Sequence, residues 1–479
     1  MKGKQELLFS KNRMIVQMND ISHILEGAIK NLGIPISQRT SFINWTISSL
    51  WKKFKEEKMN QRLIIENEIK NLNIRLPNGT VKKPYQTEFT LPIEISNVEL
   101  VDSQELGLYL TRTVNSCILA GEPIKAGDFI LTIRFNTVEG EPPSEISLPI
   151  AFNPNPRDLW KNIPTDENIS YFKPDCDSEY VEVAIGKDGK AQKDMVAASQ
   201  RGRSHAQEGK ARDDHFKLFH CQDSDWYIIA VADGAGSAQY SRKGSWVACD
   251  TVIEHCKNLL LDNNDFENAI IAYNNDNDNE EKRNALTQYV YDIVFRGAVK
   301  AHDEINRLAN LEGKKPKEFA TTLMFAICKQ YEFGWFIASF WVGDGAMCLY
   351  DGKNKIAKLL GAPDEGEFSG QTRFLTMPEI FREQDVVSKR LRMTIVPDFT
   401  ALVLMSDGVS DPMFETDKNL NDFSKWEDFF SKLKNGFPED EIGGVNLSDN
   451  NEHAKEELLK WLDFWSPGNH DDRTIAILY

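Results

Sequence analysis

Five places in the chain put carboxylates at the end of an apolar run or in the turn beside one. Asp233-Gly234 follows IIAVA, Asp407-Gly408 follows ALVLMS and Asp344-Gly345 follows FWVG. Asp213-Asp214 precedes HFKLF, and Asp471-Asp472 precedes RTIAIL. One such turn is ordinary punctuation at a strand end. Repeated, the pattern suggests strands that deliver acidic tips to one place. Carboxylates this far apart in sequence can meet only if their strands lie side by side, and they then repel unless cations neutralise them. Ligands that are all oxygen select hard divalent ions, Mg²⁺ or Mn²⁺, over zinc. Glycine after Asp233 and Asp407 lets the backbone turn sharply and brings a carbonyl close to an ion.

The elements that must position these tips occupy the second half of the chain. From about Met195, strand patterns alternate with helical ones. VAASQRGR, HFKLFHC, DWYIIAVAD, TTLMFAIC, GWFIASFWVGD, AMCLYDG and the run Thr400 to Met405 read as strands, and Thr474 to Tyr479 closes the chain as another. SWVACDTVIEHCKNLLL and Leu286 to Leu308 read as helices, with a short one over Glu456 to Trp465. Residues 1–72 are expected to be a helical segment. Asp20 caps a first helix, and Ser37 a second with Ile43, Ile47, Leu50, Trp51 and Phe54 as a stripe that packs on a neighbouring domain. Residues 73–152 alternate apolar and polar residues between turn signals, as short antiparallel strands do. Residues 153–195, rich in Pro, Asn and Asp, read as a linker to a domain over 196–479.

With 56 basic against 73 acidic residues, the net charge of -17 argues against nucleic acid or an anionic membrane as the main partner. No run is long and apolar enough for a transmembrane helix, and the basic N-terminus lacks a signal-peptide core. The seven cysteines are scattered without a CxxC pair, which disfavours a zinc site or disulfide framework and suits reduced thiols in the cytoplasm.

The motifs DGAGSAQYSRKG, ATTL, FWVGDGAMCLYDG, LVLMSDGVSD and DDRTIAIL, in that order, resemble the metal-dependent protein phosphatases of type 2C (PP2C, or PPM). QRGRSHAQEGKARDDHF and GEFSGQTRFLT resemble motifs of a bacterial branch, and the likeness covers roughly residues 196–479. It implies an α+β fold, a PP2C-like sandwich of two antiparallel sheets flanked by helices, with the metals at one end. PNGTVxxPY followed by ILAGEPIKAGDFILTIRF resembles bacterial immunoglobulin-like modules, which implies a small all-β sandwich over 73–152.

Carried over by position, the resemblance makes Asp233 the bridge between two Mn²⁺ or Mg²⁺ ions, with the Gly234 carbonyl on one of them. Asp407 and Asp471 complete the second site, Asp471 rather than Asp472 filling the family's ligand position. Asp213 and Asp214 hold metal-bound waters, and Asp344 serves the third, weaker ion of many members. Asp411 sits where the family has a further acidic residue. The implied chemistry is hydrolysis of phosphoserine or phosphothreonine monoesters by a metal-activated water, without a covalent cysteine or serine. Many members carry a phosphate-holding arginine at a spot that falls near Gly209 here, and Arg201, Arg203 and Arg212 are open alternatives for that role. His205 has two readings, leaving-group acid or hydrogen-bonding brace of its loop. The implied partners are a phosphorylated protein and the Ser/Thr kinase that opposes the phosphatase. The alternative function is a weak or inactive scaffold that binds phosphoproteins in a signalling or stress-response complex.

Overall fold

The computed structural model describes residues 23–101, 105–114, 116–183, 192–261, 263–364, 372–382 and 389–479. The chain forms two compact units, one ending at Leu159 and the other beginning at Trp160. The Asp20 cap lies outside the described residues.

In the first unit a helical stretch over 23–31 precedes the 33-residue helix α1 (Arg39–Asn71). Of its apolar stripe, Ile65 and the buried Ile69 join the core, while Ile43 and Ile47 are half-buried. Leu50, Trp51 and Phe54, expected to pack, stand 56%, 49% and 50% exposed. The strands that follow are β1 (Gly79–Thr80), β2 (Tyr85–Phe89), β3 (Ser96–Val101), β4 (Leu108–Arg112), β5 (Cys117–Gly121), β6 (Gly127–Asn136) and β7 (Ser144–Asn153). They make a four-stranded sheet, β1-β7-β6-β3, and a three-stranded sheet, β2-β5-β4. Alternate side chains such as Leu119, Leu131, Ile133 and Leu148 fill the core.

The second unit opens on a stretch without regular strands, then β8 (Cys176–Val181) pairs antiparallel with β9 (Met195–Gln200). The expected linker over 153–195 therefore divides. Its first residues end β7 and the first unit, and its remainder belongs to the second unit, where it supplies an edge strand. The Pro- and Asn-rich composition that suggests a linker also suits an irregular chain fastened by side-chain hydrogen bonds.

The chain continues through α2 (Arg203–Glu208), β10 (His215–Cys221), β11 (Trp226–Ala232), α3 (Ser241–Leu260), α4 (Asn264–Asn275), α5 (Glu280–Val290) and α6 (Arg296–Leu311). A five-residue π-helical turn, Tyr291–Phe295, joins α5 to α6, where one helix over Leu286 to Leu308 was expected. Then come β12 (Leu323–Tyr331), β13 (Gly334–Val342), β14 (Ala346–Asp351), β15 (Ile356–Leu359), β16 (Leu391–Val396), β17 (Ala401–Met405), α7 (Asp407–Phe414), α8 (Phe423–Asn435), α9 (Ala454–Trp461) and β18 (Arg473–Leu478).

Two antiparallel sheets form, β10-β11-β12-β13-β16 and β15-β14-β17-β18-β9-β8. Tyr227, Ile229 and Val231 point between the sheets, where they meet Met347, Leu402, Leu404 and Ala476. Ile228 and Ala230 point outward beneath α3 and α6, while Val403, Met405 and Ile475 face α7, α8 and α9. Strands covered on both faces need no polar alternation, which is why IIAVA and LVLM are continuous apolar runs. The resulting layers, helix, sheet, sheet, helix, are those the motifs imply. Among the described residues no helix is long and apolar enough to cross a membrane.

Candidate metal centre

Strand register brings the acidic tips together. His215 pairs with Ala232, so Asp214 and Asp233 leave neighbouring strands at the same end of one sheet. Leu323 pairs with Val342, which carries Asp344 to that end as well. In the other sheet Met405 pairs with Ile475, so Asp407 and the Asp471-Asp472 pair also leave together. The Asp233 turn is fixed by both its backbone groups. Its carbonyl accepts from Thr322 N and Thr321 Oγ1, each at 2.8 Å, and its amide donates to Thr322 Oγ1 at 2.9 Å. Gly234 and Gly408 are required by closeness. A Cβ at 234 would stand 2.6 Å from the Asp213 carbonyl oxygen, and one at 408 only 1.9 Å from that of Asp472.

Carboxylate oxygens of Asp233, Asp344 and Asp407 lie within 4.8 Å of one another, and a second group of the same closeness comprises His205, Asp471 and Asp472. Burial pushes Asp233 well above the usual carboxylate range, and the charges of Asp214, Asp407 and Asp471 push it further. Burial and the Asp344 charge do the same to Asp407. Burial, then Asp472, raises Asp213 to about 6 and Asp214 to about 7. Asp471 is raised by burial and its neighbour Asp472, and Asp411 by burial and Asp344 to about 6. Asp213 Oδ1, both oxygens of Asp214 and Asp407 Oδ1 are buried without a hydrogen-bond partner. Buried carboxylates that repel one another and lack donors are a costly arrangement by themselves. An all-oxygen set of this kind fits hard divalent cations, which would relieve both penalties. Asp344 also accepts a hydrogen bond from the Thr372 hydroxyl.

Asp472 plays a different part. It accepts from Gly202 N and Asp213 N, both at 2.6 Å, and its Oδ1 lies 3.1 Å from His205 Nδ1. Burial opposes its charge, but these donors outweigh burial and hold it below the usual range. Burial likewise opposes charge on His205, and Asp472 and then Asp213 outweigh it, lifting the imidazole to about 9. His205 thus sits between two carboxylates that favour its charged form, with Nε2 3.9 Å from Asp213. Residue types do not reveal this brace, because Asp471 and Asp472 look alike in the sequence.

Of the three candidate arginines, Arg201 and Arg203 are occupied elsewhere. Arg201 donates to Thr165, Asn162 and the carbonyls of Ile163 and Lys210. Arg203 donates to the Asp463 carbonyl at 2.9 Å and lies over the Trp465 ring. Arg212 is buried beside Asp177, with Nε and Nη1 lacking hydrogen-bond partners among the described residues. The guanidinium that borders the cluster is instead Arg242, at the start of α3, with Nη1 3.7 Å from Asp213 Oδ1 and Nε and Nη2 on the Ser170 carbonyl. Its place inside DGAGSAQYSRKG was visible, but its orientation depends on Ser170, a contact the sequence does not display.

Residues 201–463 match the family described as protein phosphatase 2C. Among solved structures the chain is similar to the serine-threonine phosphatase 2C from Toxoplasma gondii, at 11% identity over 63% of this chain and 98% of that one, with a TM-score of 0.38. It is also similar to a serine/threonine phosphatase from Staphylococcus aureus, at 11% identity, 65% and 98% coverage and a TM-score of 0.31. PppA from Pseudomonas aeruginosa, a key regulatory component of T6SS, is similar at 14% identity, 63% and 99% coverage and a TM-score of 0.33. No curated protein matches.

Proposed function

Because the chain belongs to the protein phosphatase 2C family, we propose that it is a phosphatase hydrolysing phosphoserine and phosphothreonine monoesters in proteins, with two Mn²⁺ or Mg²⁺ ions and a weaker third. The observation that carries this reading is the convergence of Asp233, Asp344 and Asp407, with buried carboxylate oxygens left without donors. Asp233, Asp407, Asp471 and the Gly234 carbonyl would hold the two ions, and Asp344 the third. Once bound, such cations supply a nucleophilic water near neutral pH and stabilise charge on the phosphoryl oxygens.

The chain's own residues do the rest. Asp213 and Asp214, fixed through the brace of Asp472, orient water at the edge of the cluster. Arg242, held by the carbonyls of Ser170 and Gln239, would lend the incoming phosphate its positive charge in place of Arg201, Arg203 or Arg212, since guanidinium suits phosphate. His205 holds its proton against Asp472 and braces the loop, the second of its two readings. A thiol nucleophile is not needed, and burial pushes the Cys249 thiol up, away from thiolate. The immunoglobulin-like first unit would dock the phosphoprotein or its cognate Ser/Thr kinase, in the cytoplasm.

Hydrolysis of an aryl phosphate by the full chain tests this. Turnover is expected with Mn²⁺ and not with chelator, Asp233→Asn should abolish it, and Arg242→Ala should raise KM about tenfold or more, equivalent to ~1.4 kcal/mol. Equal rates for wild type and Asp233→Asn would exclude the mechanism and leave the phosphoprotein-binding scaffold as the better reading.

A further inference from the structure

Residues 160–175 lie outside the stretch that matches the family, yet they are laced to three segments of the acidic cluster: the loop before β10, the start of α3 and the turn at His470. Trp160 packs its ring 4.3 Å, centroid to centroid, from His470, the neighbour of Asp471. Ile163 N donates to the Ala206 carbonyl at 2.8 Å, and Thr165 Oγ1 to that of Lys210 at 3.1 Å, on the loop that leads to Asp213. The Ser170 carbonyl receives Arg242.

Lys173 closes the series. It is buried, and its Nζ donates to Asp214 O at 2.9 Å, Ser245 Oγ at 3.0 Å and Asp213 O at 3.5 Å. Ser245 Oγ in turn donates to Asp213 O at 2.5 Å. An ammonium has three donors and no acceptor, and here each donor has a backbone or hydroxyl oxygen. Among the described residues no carboxylate lies within ion-pair distance of it. Burial and then the neighbouring Arg212 charge pull this amine down to about 7. Its donors are directed at the Ser245 hydroxyl and at the two carbonyls that set where the Asp213 and Asp214 side chains leave the backbone.

We propose that residues 160–175 are a strap that positions the Asp213-Asp214 pair at the metal centre, with Lys173 as the positioning residue. The proposal rests on the phosphatase reading above and adds to it a determinant outside the family-matched region. Lys173→Met keeps the volume and removes the three hydrogen bonds, leaving the Asp214 carbonyl without its 2.9 Å donor and the Asp213 carbonyl with Ser245 alone.

Two effects of that substitution have opposite signs. Loss of a positive charge beside an acidic cluster, by itself, tightens binding of another cation. Loss of positioning loosens it. The test measures Mn²⁺ binding by electron paramagnetic resonance, and hydrogen exchange of residues 209–216 without metal, in full-length wild type, Lys173→Met and Leu433→Ala. The last is a core variant in α8 that controls for lost stability. The expected result is Mn²⁺ binding weakened fivefold or more and exchange of 209–216 raised tenfold or more in Lys173→Met, with neither change in Leu433→Ala. Unchanged or tighter Mn²⁺ binding, or exchange no different from that of the control variant, would overturn the strap. The exchange arm needs neither metal nor turnover. A protein that binds no Mn²⁺ or hydrolyses nothing therefore refutes the phosphatase reading, and the exchange of residues 209–216 still decides the strap.

Discussion

Asp233 is buried with its charge opposed by three neighbouring carboxylates, so without metal it works against the fold. Asp233→Asn should therefore stabilise the metal-free protein at pH 7.5 while removing activity. Deleting one uncompensated buried charge is worth about 1–3 kcal/mol, or roughly 2–4 °C of unfolding midpoint per kcal/mol in a domain of this size. Mn²⁺ should reverse the order, because binding at about a hundredfold above Kd adds ~2.7 kcal/mol to the wild type alone. The pH dependence has a definite sign. Asp213, Asp214, Asp233, Asp407 and Asp471 titrate above their unfolded values, so the native state binds more protons. Stability therefore falls as pH rises from the ordinary carboxylate range through about 7, the value for Asp214, with Asp233 and Asp407 also raised well above that range. The advantage of the variant in chelator should accordingly shrink between pH 7.5 and pH 5. Scanning calorimetry of both proteins measures it, and a variant less stable than wild type in chelator would show that Asp233 is already compensated. At this scale the sequence was informative where a residue announces itself by position. Asp233, Asp344 and Asp407 each end an apolar strand and precede a glycine. It was uninformative for Arg242, Asp472 and Lys173, whose parts depend on what packs against them. Arg201 shows the converse, a residue of suitable chemistry beside the site whose donors are taken by Thr165 and Asn162.

Elements set the site through strand ends that must stay close. Gly408 opens α7 with the Asp472 carbonyl lying where a side chain would begin. An alanine there forces apart β17 and the turn before β18, and overpacking of this kind costs about 1–3 kcal/mol, occasionally more. Gly408→Ala should lower the urea midpoint accordingly. It should also weaken Mn²⁺ binding, since Asp407 and Asp471 flank the displaced backbone. A loss of stability with metal affinity intact would mean that the two strand ends hold the ions independently. The central strands of this half were legible because burial on both faces leaves unbroken apolar runs, whereas β15, β16, α4 and α8 were not read from the sequence. The π-helical turn at Tyr291–Phe295 was not legible, since one extra residue in a helix barely disturbs its periodicity. Neither was β8, a strand whose residues are only partly buried and so carry little pattern.

The whole molecule joins two units of different character. The second is a four-layer sandwich with continuous cores on either side of each sheet. The first is smaller and leaves much of the apolar stripe of α1 uncovered, which periodicity alone could not foresee, because a stripe records amphipathicity and not what covers it. The net charge of -17 belongs to the entire chain, but its consequence is concentrated where five strand ends gather carboxylates in one place. Anomalous scattering from crystals of the full chain grown with Mn²⁺ locates cations directly. Peaks between Asp233 and Asp407, within reach of Asp471, are the predicted result. Well-ordered Asp233 and Asp407 side chains with no anomalous peak between them, at Mn²⁺ concentrations that saturate other family members, would contradict it.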